Sequence, residues 1–182
     1  MSDSHSSILN IGIVTCSDRA ARGEYDDESG PQLEAWLDRA LLSEWTSHYR
    51  LVPDERDQIA DTLVELVDDV GCRLVFTTGG TGPTPRDVTP EATREIAEKV
   101  LPGFGERMRR ISLQYVPSAI LSRQIGAVRG KSLVVNLPGN PKAIGETLDE
   151  LWEVVPYTVE LLDGPTVETD QQVVETFRPG DG

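Results

Sequence analysis

The stretch Leu74-Val-Phe-Thr-Thr-Gly-Gly-Thr-Gly-Pro-Thr-Pro-Arg-Asp-Val-Thr-Pro90 decides the fold. Leu74 to Thr78 is a short apolar run that enters glycines, as expected of a central parallel strand. Gly79, Gly80 and Gly82 then let the backbone turn with positive φ and expose successive N–H groups. No side chain at those positions blocks an approaching phosphate, and the hydroxyls of Thr78 and Thr81 add donors. Thr89-Pro90 reads as an N-cap followed by proline at the first helical position, opening a helix to about Val100. Strand, glycine loop and helix in succession are the unit of an α/β sheet, whose ligands sit beyond the carboxyl ends of its strands.

Outward from this unit the same alternation recurs. Ile11 to Thr15 predicts a buried strand, followed by a polar loop, Ser17 to Ser29. A helix then carries Leu33, Trp36, Leu37, Ala40 and Leu41 at one-face spacing. His48 to Val52 predicts a second strand, and Ile59, Leu63, Leu66, Val67 and Val70 a helix that stops at Gly71. Downstream, Pro102-Gly103 breaks the helix that runs to about Val100, and Phe104, Met108, Ile111 and Tyr115 share a helical face. Ile125 to Arg129 and Ser132 to Leu137, split by Gly130-Lys131, predict a hairpin. Asn140-Pro141 opens a last helix through Ile144, Leu148, Leu151 and Val155. The expected fold is one three-layer, doubly wound domain over residues 1–182, with a mostly parallel sheet and a late antiparallel hairpin. Residues 1–7 and about 165–182 are expected to be loosely packed tails. Ser17 to Asp27, Gly79 to Asp87 and Pro138 to Asn140 all follow strands, so they are expected to converge.

The loop is not a Walker A motif, because no Gly-Lys-Ser/Thr closes it. Nor is it a dinucleotide fingerprint, because Pro85 stands where the third glycine belongs. Motif tests therefore leave a phosphate or carboxylate loop. Asp87 at its exit reads equally as a helix-entry carboxylate, and Asp54 as an N-cap of the following helix. Two carboxylates from different strand ends, over a phosphate loop, are also what Mg²⁺ prefers. Asn136-Leu-Pro-Gly-Asn-Pro-Lys142 is a second rigid turn, in which Asn140 can cap a helix or bond a ligand.

Seventeen basic against thirty-one acidic residues give a net charge of −14, which argues against broad binding to nucleic acid or an anionic membrane. An anionic ligand therefore needs cations gathered at its site, for which Arg19, Arg22, Arg86, Arg123, Arg129, Lys131 and Lys142 are candidates. Cys16 and Cys72 lie in apolar runs without metal spacing and are expected to be buried free thiols. His5 and His48 stand far apart, which disfavours catalytic zinc. The start carries neither a basic region nor a long apolar stretch, so a cytoplasmic protein is expected. There is no Gly-x-Ser-x-Gly elbow and no Cys–His pair for covalent catalysis. Phosphoryl-type transfer needs no protein nucleophile, since positioning and charge neutralisation supply most of the effect.

Ile11-Gly-Ile-Val-Thr-Cys-Ser-Asp-Arg19, Asp27 with Ser29-Gly30, Val52-Pro-Asp-Glu55, Thr77 to Pro90 and Pro102-Gly-Phe-Gly-Glu106 form a set. Ile120-Leu-Ser-Arg123, Leu137-Pro-Gly-Asn-Pro141, Leu161-Leu-Asp-Gly-Pro165 and Phe177-Arg-Pro179 complete it. Over roughly residues 8 to 179 this set resembles the molybdopterin adenylyltransferases, the family of the Mog and MoaB proteins and gephyrin G-type domains. The resemblance implies a homotrimer that transfers the adenylyl group of Mg-ATP to the terminal phosphate of molybdopterin, releasing pyrophosphate. It further implies hand-over of the product to a molybdenum-inserting protein. It places the family's essential aspartates on Asp54 and Asp87, as catalytic residues holding Mg²⁺. Thr78, Gly79, Gly80, Thr81, Gly82 and Arg86 fall on the nucleotide side. Ser17, Asp18, Ser122, Arg123, Pro138, Gly139, Asn140 and Pro141 fall on the pterin side. A non-catalytic pterin-binding scaffold and a generic nucleotide phosphohydrolase are the alternatives. One departure is the short bridge Asp149 to Pro156, where bacterial Mog sequences are longer.

Overall fold

The computed structural model describes residues 8–180, so the expected loose start over residues 1–7, with His5, lies outside the described residues. In chain order the elements are β1 (Leu9–Cys16), α1 (Asp18–Ala21), α2 (Ser29–Ala40), β2 (Trp45–Val52), α3 (Arg56–Val64), β3 (Leu74–Thr78) and α4 (Thr89–Ile96). They continue as β4 (Lys99–Leu101), α5 (Pro102–Ser112), β5 (Gly126–Arg129), β6 (Ser132–Leu137), α6 (Pro141–Leu151) and α7 (Val155–Leu161). One sheet of 6 strands runs in the order β2-β1-β3-β6-β5-β4. The first four are parallel, and β5 runs against both of its neighbours. This is the expected doubly wound sheet with its late hairpin.

Side chains alternate between two cores because successive strand residues point to opposite faces. Ile11, Ile13, Leu74, Phe76, Leu133 and Val135 pack with residues of α2, α5 and α6. Val14, Cys16, Val75 and Val134 pack on the other face with α3 and α4. Cys16 and Cys72 are both buried and free, as expected. Trp36 and Trp152 centre the larger core with ring centroids 5.1 Å apart. Among the described residues no helix is long and apolar enough to cross a membrane.

Register sets the position of the site. Thr15 lies opposite Thr78, and Thr78 opposite Leu137, so β1, β3 and β6 end level with one another. Cys16 lies opposite Val52 at the end of β2. The chain leaves β1 to β2 on one side and returns to β3 on the other. The crevice between β1 and β3 is therefore the switch point at which such sheets bind ligands.

Several expectations are corrected. The helix read to Val100 ends at Ile96, and Lys99–Leu101 forms an edge strand paired with β5. Ile96 and Val100 stand at helical spacing, and a strand this short shows no alternation of its own. Strand β2 starts at Trp45 rather than His48. α3 ends in a wider π-type turn, Glu65–Asp69. α4 begins with Thr89 inside the helix, and Val88 stands at the cap without a side-chain bond.

The tail is packed rather than loose. Val167 and Val174 are buried in the larger core, Leu41 bridges to Thr169, and Arg178 pairs with Glu160 at 2.6 Å. Trp152 requires this arrangement, because its buried indole N–H donates to Thr169 Oγ1 at 3.1 Å. Thr169→Val keeps the shape and removes the acceptor, so a buried donor is left unpaired at a cost of about 1–3 kcal/mol. We expect a melting temperature lower by roughly 2–10 °C in a chain of this size, with activity kept. An unchanged melting curve would contradict this account of the tail.

Candidate functional site

Four loops meet beyond the carboxyl ends of β1, β2, β3 and β6. The first two are cross-linked reciprocally. Asp18 N donates to Asp54 Oδ2 at 2.9 Å, and Asp54 N donates to Asp18 Oδ1 at 3.1 Å. Asp54 is therefore no helix cap. Glu55 occupies that position, and Asp54 is turned back towards the end of β1. Its second oxygen, Oδ1, is buried without a hydrogen-bond partner, as is Thr89 Oγ1. Both oxygens face Gly80, where an added Cβ would lie 2.2 Å from Thr89 Oγ1 and 3.1 Å from Asp54 Oδ1.

The glycine loop closes over this point. Gly79 (φ +88°) and Gly80 (φ +62°) both take the left-handed conformation that glycine tolerates. At Gly79 a Cβ would lie 2.3 Å from the Cys16 carbonyl oxygen, so the backbone itself leaves no space for a side chain. Gly139 packs against the same residue, a Cβ there lying 3.1 Å from Gly79 Cα. Thr78 and Thr81 are buried in the loop's base. Gly82 sits against the Asp87 carboxylate, which is tied within the loop by Thr84 N at 2.8 Å and Thr84 Oγ1 at 2.6 Å. The helix-entry reading of Asp87 thus gives way to a carboxylate folded back along its own loop.

Electrostatics divide the aspartates. Burial, together with the charges of Asp18 and Asp87, raises the Asp54 carboxyl above its ordinary 3.8. Asp18 is held below that value, chiefly by the Arg86 hydrogen bonds. Arg86 grips Asp18 at 3.0 and 2.9 Å and Glu55 at 2.8 Å, spanning the mouth between the loops. Burial pushes the Cys16 thiol up to about 12, with the Thr89 hydroxyl opposing and the Asp54 charge adding to the rise.

Arg123 serves the loop from outside. Its amide donates to Thr81 O at 2.9 Å, Nε to Gly82 O at 2.7 Å, and its guanidinium reaches Asp87 O and the Glu91 carboxylate. Its donors are thus directed at the glycine loop. Ser122 donates to Gln124 Oε1 at 2.6 Å. Ser17 caps α1 and bonds Tyr25, and Asn140 caps α6 through Lys142 N. Pro138 and Pro141 frame that last turn.

Not every expected cation is present. Arg129 pairs with Asp68, and Lys131 with Asp163, at the opposite end of the sheet where the hairpin turns. Arg19 and Arg22 are spent on Glu24, and Lys142 on Glu146. His48 bonds Asn10 within the strands.

Asp27 carries more than its place in a polar loop suggested. It accepts from Thr15 Oγ1 at 2.8 Å, Tyr49 OH at 2.9 Å, Gly30 N at 2.9 Å and Ser29 N at 3.0 Å. This fixes Ser29, whose hydroxyl donates to Gly139 O at 2.9 Å and so holds the last loop in place. Burial and the Asp27 hydrogen bond push Tyr49 up to about 12. Tyr49 and Glu91 carry no local sequence signal for this role, because only the folded chain brings them to the loops.

Among the described residues no group of three or more carboxylate, histidine or cysteine side chains is placed to hold a metal. The unpaired Oδ1 of Asp54 beside the loop is nonetheless a donor suited to a hard cation that takes its remaining ligands from phosphate and water.

Comparison with known proteins identifies the family. The family described as "Probable molybdopterin binding domain" matches residues 12–157. Molybdopterin adenylyltransferase of Escherichia coli is 51% identical, with 94% of each chain covered. That of Haemophilus influenzae is 50% identical, covering 94% of this chain and 93% of its own. These alignments run over 183 and 184 positions, more than the 182 residues of this chain, so both relatives carry residues it lacks. The crystal structure of the molybdopterin biosynthesis enzyme MoaB from Thermus thermophilus superposes with a TM-score of 0.80 at 39% identity, over 87% of this chain and 99% of its own. By sequence and fold, the chain belongs to the molybdopterin adenylyltransferase family.

Proposed function

We propose that this protein transfers the adenylyl group of ATP to the terminal phosphate of molybdopterin. A phosphate oxygen of the pterin substrate forms a bond to the α-phosphorus, the bond from that phosphorus to the bridging oxygen breaks, and pyrophosphate leaves. The observation that carries this reading is the buried, unpaired Oδ1 of Asp54, set against Gly80 of the glycine turn. Relatives about half identical over nearly the whole chain, named molybdopterin adenylyltransferases, support it.

Both reacting groups belong to the substrates, so the protein's work is positioning and charge neutralisation. The amides of the glycine turn would receive nucleotide phosphate oxygens. Arg86, its guanidinium half exposed, would exchange Asp18 and Glu55 for phosphate. The loop from Pro138 to Pro141, held by Ser29, would line the pterin side with Ser17, Asp18 and Ser122. Arg123 would keep Gly82 and Asp87 in register. Asp54 and Asp87 would hold Mg²⁺, which when bound offsets the triphosphate's negative charge. On the same reading the protein acts in the cytoplasm as a homotrimer and passes adenylyl-molybdopterin to a molybdenum-inserting protein.

Asp87→Asn tests the loop carboxylate. An asparagine oxygen still accepts from Thr84 N and Oγ1, so the turn keeps its shape while the charge is lost. We expect turnover to fall about 10²-fold or more, with an unchanged circular dichroism spectrum. Near-normal turnover in the folded variant would remove Asp87 from the site.

The deciding assay mixes protein, Mg-ATP and molybdopterin and follows adenylyl-molybdopterin and pyrophosphate. Product only when the pterin is present supports the transferase. ATP hydrolysis without pterin would replace it with a phosphohydrolase, and pterin binding without product would replace it with a scaffold.

A further inference from the structure

Between the start of α5 and the segment before β5 that carries Arg123 lies a cavity of about 350 Å³, lined by Arg94, Arg109, Arg123, Ser122, Gly105 and Glu106 among others. Its charge is unusual for a chain of net charge −14. Glu106 is the one carboxylate on its wall, against three guanidinium groups. Arg123 is offset by Glu91, which lies outside the cavity's lining. Arg94 and Arg109 form no ion pair among the described residues, as is also true of Arg39, Arg73 and Arg110, but only these two line a cavity with a third guanidinium. Arg109 makes only long bonds, to Ser122 O at 3.3 Å and Gln124 O at 3.4 Å. Gly105 leaves it room, since a Cβ there would lie 2.4 Å from Gln124 O and 3.3 Å from Arg109 Nη1.

We propose that this cavity is a second oxyanion site, built for a phosphate-class ligand and selective for diphosphate. Guanidinium groups present paired N–H donors that match phosphate oxygens, and two of them here have no anionic partner among the described residues. The volume falls within the range of small-molecule sites and exceeds what one orthophosphate needs. A diphosphate carries two phosphoryl groups, one for each of the two guanidinium groups on the wall, Arg94 and Arg109. The ligand's origin as the reaction's own leaving group rests on the adenylyl-transfer reading; its binding does not.

The test titrates the full chain with sodium diphosphate, and separately with sodium phosphate, without magnesium and at constant ionic strength. Amide chemical shifts of Gly105 and Gln124 report the cavity, and those of Gly79 and Gly80 report the glycine loop. We expect Gly105 and Gln124 to shift saturably, with diphosphate binding more tightly than phosphate. Arg94→Gln, an exposed substitution, should weaken that response roughly tenfold, the size of one charge-assisted bond, and leave the Gly79 and Gly80 response unchanged. Arg94→Gln with Arg109→Gln should abolish it. Still resonances at Gly105 and Gln124, or an unaltered titration in Arg94→Gln, would overturn the site. Equal affinity for both anions would overturn its selectivity. None of these readouts requires molybdopterin or turnover, so this site and the proposed reaction can fail separately.

Discussion

Asp54→Asn should reduce adenylyl transfer by about 10²–10³-fold, the cost of removing one preorganised charge-stabilising group, and yet melt no lower than the unaltered protein. The two halves of this result have one cause. The carboxyl is raised above 3.8 by burial and by its acidic neighbours Asp18 and Asp87. The folded state then holds that proton more firmly than the unfolded chain does. Its contribution to stability is full below the ordinary value and is lost as pH rises through the raised one. At neutral pH the ionised carboxylate therefore opposes folding. Asparagine keeps an oxygen for the Asp18 amide and removes the charge. The stability advantage of the variant should appear at neutral pH and vanish towards pH 4. Full turnover in Asp54→Asn would end the proposed role, and a large fall in melting temperature at neutral pH would end its electrostatic explanation.

Gly79→Ala should abolish activity and strongly destabilise the fold, whereas Gly71→Ala should do neither. The two glycines have nearly the same backbone, φ +88° and +77°. Each alanine therefore carries the left-handed penalty of about 1–2 kcal/mol. Around Gly71 nothing lies within 4 Å of an added Cβ, so that penalty is the whole effect, roughly 2–8 °C in melting temperature. At Gly79 the Cβ meets a main-chain oxygen of β1 at 2.3 Å, and neither strand can withdraw without parting the sheet. Comparing the two variants by thermal melts and turnover separates strain from collision. Equal melting temperatures with retained activity in both would show that the loop yields.

The sheet was readable in the sequence because Ile11 to Thr15, Leu74 to Thr78 and Ser132 to Leu137 are short apolar runs that end in turn residues. Those same ends located the glycine loop and the Pro138 turn. What could not be read depends on contacts remote in sequence. Lys99–Leu101 becomes a strand only because β5 offers it a partner. The polar tail packs because Trp152 needs an acceptor and finds Thr169. Asp54 looked like a helix cap, and only the Asp18 amide reveals which way it turns. Arg129 and Lys131 seemed close to the site in sequence, yet a hairpin sends its turn to the far end of the strands. Arg123 was legible only as a candidate, on the pterin side by resemblance, and its direction towards Gly82 and Asp87 was not legible at all.

That hairpin also offers a practical handle. All four site loops leave the sheet at one end, while Gly130 and Lys131 turn at the other, where the lysine side chain is 56% exposed and pairs with Asp163. A fluorophore, a surface linker or an inserted peptide attached there would stand a full strand length from the mouth of the site. The molecule could be tethered by that end with its working face turned to the solution.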